Sequence, residues 1–153
     1  MRAWWNRAIH IRAHPLTKSS MAQKTKSYVD TSAFIAFLDR SDSYHSLFKR
    51  LFSDPPALVT SALVIAEGHG WFLRRYDHRK ALSFLNFVEE LSIRVDGFDG
   101  LELEKATTFV KKFADQELTL ADAHGLAVMK SRRIASCWST DRHLALNGAT
   151  LVC

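Results

Sequence analysis

The chain has 153 residues, 47% of them hydrophobic and 24% charged, enough for one domain with one sizeable core. No apolar run approaches the roughly 20 residues that span a bilayer as a helix. Cys137 and Cys153 match no metal-binding spacing, so a reduced, cytoplasmic protein is the simplest expectation. The net charge of +5 is local: six of the 21 basic residues and none of the 16 acids fall in residues 1–26, which leaves the remainder at −1.

Residues 1–26 form a basic leader, with Trp4, Trp5, Ile9 and Ile11 set among arginines and Pro15 breaking any helix. Three readings compete: an Arg-rich targeting peptide, a basic arm that touches RNA or a partner, or an upstream start before a true first residue at Met21. The last is preferred, because the first strand begins a few residues after Met21. The domain is then residues 27–153.

Tyr28 and Val29 end a short buried strand, and Asp30 stands where it stops. Thr31 and Ser32 are helix-capping residue types, followed at once by the apolar run Ala33–Leu38. Ser41 and Asp42 open a second helix with Tyr44, Leu47, Phe48 and Leu51 on its apolar face, ended by Pro55-Pro56. Residues 57–60 read as a strand, and Ser61 opens a helix to about Tyr76. A further helix carries Leu82, Phe84, Leu85, Val88 and Leu91 at helical spacing. A strand at 92–95 precedes a helix over about 100–113. Thr119 caps a helix to about Ser131, and Ile134–Trp138 is a strand. A short helix holding Leu144 and Leu146 ends at Gly148, and residues 150–152 close the sheet. Strands separated by helices imply right-handed crossovers and a mainly parallel sheet covered on both faces. The fold expected is a single three-layer α/β/α domain.

Four carboxylates stand just past a strand or in the helix after one. Taken alone, Asp30 is more often a helix cap than a site residue, and the other three acids are what raise the second reading. Glu67 has Leu63, Val64, Gly70 and Trp71 as its i±3 and i±4 neighbours, which predicts an inward-facing acid needing a cation or a buried salt bridge. Asp122 completes Thr119-x-x-Asp122, a capping-box pattern, and shares its face with Leu118, Gly125, Leu126 and Met129. Asp141 precedes the short helix, where it is again a natural cap. Gathered on one sheet edge, four such acids repel one another unless divalent cations neutralise them. Oxygen ligands without His or Cys favour Mg2+ or Mn2+, and such clusters serve phosphodiester hydrolysis.

Tyr28-Val29-Asp30-Thr31-Ser32-Ala33, Val64-Ile65-Ala66-Glu67, Leu118-Thr119-Leu120-Ala121-Asp122-Ala123 and Ser139-Thr140-Asp141-Arg142-His143-Leu144 resemble, in order, the four motifs of PIN-domain ribonucleases. The closest subgroup is the VapC-type toxin of VapBC toxin–antitoxin pairs. The resemblance implies a metal-dependent endoribonuclease with Asp30, Glu67, Asp122 and Asp141 as catalytic and metal-binding acids, and with Thr31 and Thr140 as supporting hydroxyls. It also implies an RNA substrate, a cognate antitoxin and a homodimer. Two features depart from the family pattern. Gly68-His69-Gly70 is expected to loosen the helix after Glu67, and the leader has no counterpart.

Arg74, Arg75, His78, Arg79 and Lys80 cluster where two helices meet, as a solvated helix end or as an RNA-backbone contact. Lys130, Arg132 and Arg133 suit a helix C-terminus without any ligand. No P-loop, GxGxxG or GxSxG occurs. Two rival functions are a PIN-like module that binds RNA or protein without cutting, and a phosphoacceptor receiver-like domain. The latter needs a partnering Lys that does not follow Asp122 or Asp141.

Overall fold

A computed structural model describes residues 25–152; most of the leader, with Met21, and Cys153 lie outside the described residues. Strand β1 (Lys26–Val29) leads into α1 (Thr31–Leu38) and α2 (His45–Leu51). Strand β2 (Ala57–Ser61) is followed by α3 (Ala62–Arg75) and α4 (His78–Glu90), and β3 (Ile93–Asp96) by α5 (Gly100–Lys112) and α6 (Leu120–Arg132). Strand β4 (Ser136–Trp138), a 3-10 helix (Arg142–Ala145) and β5 (Thr150–Leu151) complete the order.

The strands form one parallel sheet in the order β3-β2-β1-β4-β5, with Tyr28 opposite both Val59 and Cys137 and Leu58 opposite Ile93. Helices flank it in the three-layer α/β/α arrangement anticipated from the alternation of elements. From central β1 the chain winds out to β2 and β3, then returns to place β4 on the other side. The C-terminal ends of β1 and β4 thereby meet at a switch point, where open α/β sheets leave a crevice.

The core explains why the helices hold their places. Phe34 and Phe84 are fully buried, and their rings meet edge-on at 5.7 Å; burying each such side chain contributes about 1.5–3 kcal/mol. Phe52 and Trp138 pack edge-on at 5.1 Å. Tyr28 is fully buried, and its hydroxyl donates to Ser61 Oγ at 3.2 Å. Helix α6 crosses directly over this ring, since a Cβ at Gly125 would lie 3.0 Å from Tyr28 Oη.

Three local readings are corrected. Helix α3 runs unbroken through Gly68-His69-Gly70. Gly68 is buried, and a Cβ there would stand 2.6 Å from Phe84 Cζ, so this glycine lets α3 and α4 approach instead of loosening the helix. Helix α2 starts only at His45, because Asp42 is spent on a turn, accepting from the Tyr44 and His45 amides. The fourth strand covers Ser136–Trp138, two residues shorter at its start than the apolar run: Arg133 takes the left-handed conformation at the end of α6, and the Ile134 amide still closes on Met129.

Candidate active site

All four predicted acids line one cleft of about 670 Å³ at the C-terminal edge of the sheet, together with Thr31, Ser32, Ile35, Trp71, Thr119, Thr140 and Arg142. Each arrives from a different segment, as the topology requires.

Asp30 caps α1 while its amide continues the β1–β4 ladder to the Trp138 carbonyl at 3.1 Å. It is only 7% exposed. Its Oδ2 accepts from the Ser32 hydroxyl at 2.7 Å, from the Ser139 hydroxyl at 2.8 Å and from the Ser32 amide at 3.3 Å. Burial nevertheless outweighs these hydrogen bonds and raises the Asp30 pKa above the usual carboxylate value. Ser139 is buried, and its oxygen also accepts from the Asp141 amide at 2.8 Å. One hydroxyl thus ties the ends of β1 and β4 together.

Glu67 accepts from Thr31 Oγ1 at 2.5 Å. The residue is exposed, which corrects the inward-facing expectation: of its apolar neighbours Val64 is buried in the core, while Trp71 lines the cleft into which Glu67 opens. Nor does it form the alternative buried salt bridge, for no Lys or Arg of the described residues pairs with it. Desolvation raises its pKa, the Thr31 bond opposes that, and the charges of Asp30, Asp122 and Asp141 raise it further.

Asp122 is buried at the start of α6 and makes the capping box that its spacing suggested. Thr119 donates to its Oδ2 through both hydroxyl, at 2.6 Å, and amide, at 3.0 Å. Capping occupies one oxygen and holds the carboxylate in the cleft. Asp141 caps the 3-10 helix, accepting from the His143 amide at 2.9 Å, with His143 Nδ1 3.1 Å from the same oxygen. Thr140 is exposed on the rim, its amide donating to Ser32 Oγ at 3.0 Å.

Sequence reasoning gave Ser32 only a capping role and gave none to Ser139 or His143. For Ser32 and His143 the signal was their position two residues after Asp30 and Asp141, in reach of those carboxylates; the Ser139 bond to Asp30 crosses the sheet and has no local signal. Asp122, Asp141 and His143 present ligand atoms within 4.8 Å of one another, so a histidine does stand beside the acids. The basic residues Arg74, Arg75, His78, Arg79 and Lys80 are all exposed at the α3–α4 corner, and none lines the cleft. Arg132 does more than suit a helix end. It grips Asp96 at the end of β3 through Nε and through Nη2, the latter at 2.7 Å.

A second depression, of about 750 Å³, lies beside that pair. Its charges satisfy one another through Arg132–Asp96, Arg94–Asp96 and Lys105–Glu102. The acidic cleft lacks such compensation. Among the described residues only His143 pairs with any of its four carboxylates, which is the charge distribution of a cation site.

The PIN domain family matches residues 27–148. The 23S rRNA-specific endonuclease VapC20 of Mycobacterium tuberculosis is 29% identical over 122 residues, 79% of this chain and 93% of that protein. Ribonuclease VapC26 of the same organism is 27% identical over 115 residues, 74% of this chain and 85% of its own. The crystal structure of M. tuberculosis VapC20, described as a sarcin-ricin loop cleaving toxin, superposes with a TM-score of 0.74 at 27% identity, over 81% of this chain and 96% of that one. A toxin–antitoxin complex from Klebsiella pneumoniae shares the fold at a TM-score of 0.58 and 15% identity, over 83% and 96%. The resemblance carried by the four motifs is borne out, and the chain belongs to the PIN-domain family.

Proposed function

We propose that the protein is a divalent-metal-dependent endoribonuclease, the VapC-type toxin of a toxin–antitoxin pair. The observation that carries this is the convergence of Asp30, Glu67, Asp122 and Asp141 on one cleft, none of them ion-paired to a Lys or Arg among the described residues although Arg142 stands on the same cleft. The donor set fits Mg2+ or Mn2+: hard carboxylate oxygens, with His143 placed to orient Asp141 as an outer partner. In this reading the four acids hold the cation. When bound, it supplies Lewis acidity toward a phosphodiester and lowers the pKa of an attacking water.

The chain's own contribution is preorganisation. Thr31 fixes Glu67, Ser32 and Ser139 fix Asp30, and Thr119 fixes Asp122, so the array needs little rearrangement when substrate arrives. The Thr140 hydroxyl on the rim is placed for a phosphate oxygen. Arg74, Arg75, Arg79 and Lys80 meet the RNA backbone as it leaves the cleft. A cognate antitoxin, a homodimeric assembly and action in the cytoplasm belong to the same reading, supported by likeness to VapC proteins; no described helix is long and apolar enough to cross a membrane.

The test is incubation of purified protein with total RNA in Mg2+, in Mn2+ and in EDTA, beside Asp30→Asn. Cleavage in either metal, absent in EDTA and in the variant, is the expected result. Cleavage undiminished in EDTA would refute the metal assignment.

A further inference from the structure

Helix α3 carries more toward the cleft than Glu67. Glu67, Trp71 and Arg74 stand at i, i+4 and i+7 and share one helix face. Trp71 lines the cleft with the acids. Its two aromatic neighbours meet it steeply, Phe72 at 4.9 Å and 84° and Tyr76 at 5.9 Å and 64°. No ring among the described residues stacks parallel on the indole, which is half-buried against the core with part of its surface on the cleft, and a nucleobase stacks on an indole face. One turn on, Arg74 folds back along the helix: a Cβ at Gly70 would lie 3.1 Å from its Nη1. The bare Cα of Gly70 is therefore what allows the guanidinium to lie back against the helix at that turn. Arg74 is exposed and has no carboxylate partner among the described residues.

We propose that Trp71 and Arg74 form a nucleotide subsite beside the carboxylates, in which a base of single-stranded RNA stacks on the indole while an adjacent phosphate pairs with the guanidinium. The subsite rests on the ribonuclease reading for its biological substrate. It explains how a cleft crowded with negative charge retains a polyanion: one cation and one stacking face stand on the same helix as the acid they serve. Stacking selects unpaired nucleotides, because a base inside a duplex offers no free face.

The test measures binding of the full chain, by fluorescence anisotropy in EDTA, to an uncleavable 2′-O-methyl single-stranded oligomer and to an abasic oligomer of equal length. Trp71→Ala should weaken binding of the base-bearing oligomer by about 5- to 100-fold and leave the abasic one unchanged, while Trp71→Phe retains most of the affinity. Arg74→Gln should weaken both and lower the salt slope by about 0.7. Gly70→Ala should weaken both while raising the melting temperature, an outcome that misfolding cannot produce. If Trp71→Ala does not fold, Arg74→Gln and Gly70→Ala carry the test.

Wild-type affinity for both oligomers in every variant would overturn the subsite and leave this face to a protein partner. Cleavage of RNA by the wild type in Mn2+ separates the two ideas. Cleavage with KM unchanged in Trp71→Ala, Arg74→Gln and Gly70→Ala sinks the subsite alone. Trp71-dependent binding without any cleavage sinks the nuclease and keeps the subsite.

Discussion

Glu67→Gln distinguishes a cation-binding acid from a structural one. The substitution keeps the side chain's shape and leaves an amide oxygen to accept from Thr31 Oγ1, now 2.5 Å from Glu67 Oε2. What it removes is a negative charge that desolvation disfavours and that Asp30, Asp122 and Asp141 repel. Because the Glu67 pKa is raised, its ionised form costs more in the fold than in the unfolded chain above that pKa. Metal-free Glu67→Gln at pH 7.5 is therefore unchanged or stabilised. The residue is exposed, so screening limits the gain to about 0–1 kcal/mol, or a rise of about 0–4 °C for a domain of this size. Were Glu67 half of a buried ion pair, the stranded partner would cost about 3–5 kcal/mol, a fall of roughly 6–20 °C. In Mg2+ the same substitution should lower cleavage by about 10²- to 10³-fold, the scale of losing one preorganised electrostatic group. Differential scanning fluorimetry in EDTA and single-turnover cleavage, on the same preparation, read both quantities. A melting temperature lowered by 6 °C or more, with cleavage per folded molecule retained, would refute the reasoning.

The remaining predictions concern pH, metal and packing. Burial raises Asp30, and desolvation with neighbouring charge raises Glu67, so their stabilising contribution is complete below the unfolded value near ~4 and is lost as pH rises through the folded pKa. The melting temperature of metal-free protein should accordingly fall between mildly acid and neutral pH, and Asp30→Asn should flatten that fall; a flat wild-type profile would contradict it. Asp96 works oppositely: burial alone would raise it, but Arg132 and Arg94 hold it below the usual value, so its contribution is present above ~4 and fades in stronger acid. Mn2+ at a hundred times its Kd should add about 2.7 kcal/mol of stability, and Asp122→Asn or Asp141→Asn should abolish most of that rise in a thermal titration; an undiminished rise would place the cation elsewhere. Gly68→Ala, forcing a Cβ to 2.6 Å from Phe84 Cζ, should destabilise by about 1–2 kcal/mol despite the better helix former. Phe84→Leu should recover part of the loss, and denaturant melts of both variants check it.

The fold was legible because its signals are local. Ser61, Thr119 and Asp141 stand at helix starts where their side chains reach the first free amides, and the alternation of apolar runs and caps suffices to order strands and helices. The acids were legible for the same reason: Asp30, Asp122 and Asp141 are tied to a strand end or helix start and Glu67 to the second turn of the helix after β2, and a parallel sheet brings those ends to one edge. Asp122 shows how far this goes, since its capping was read from Thr119-x-x-Asp122 and its burial from Leu118, Gly125, Leu126 and Met129 on the same face.

What the sequence could not decide depends on which surface a stripe finally meets. The apolar neighbours of Glu67 specified a face of α3, but only packing divided it, burying Val64 in the core and setting Trp71 and Glu67 on an open cleft, with Glu67 exposed and hydrogen-bonded to Thr31 instead of salt-bridged. Gly68-His69-Gly70 read as a weak point, and tertiary contact with Phe84 turned it into a close approach that holds α3 against α4. Ser139 and Asp30 are 109 positions apart, and no local pattern anticipates a bond that exists only because β4 lies beside β1. Local hydrogen bonding and hydrophobic period are written in the order of residues. The partners of a side chain across the sheet are not, because they depend on the order in which strands pair, a property of the whole chain.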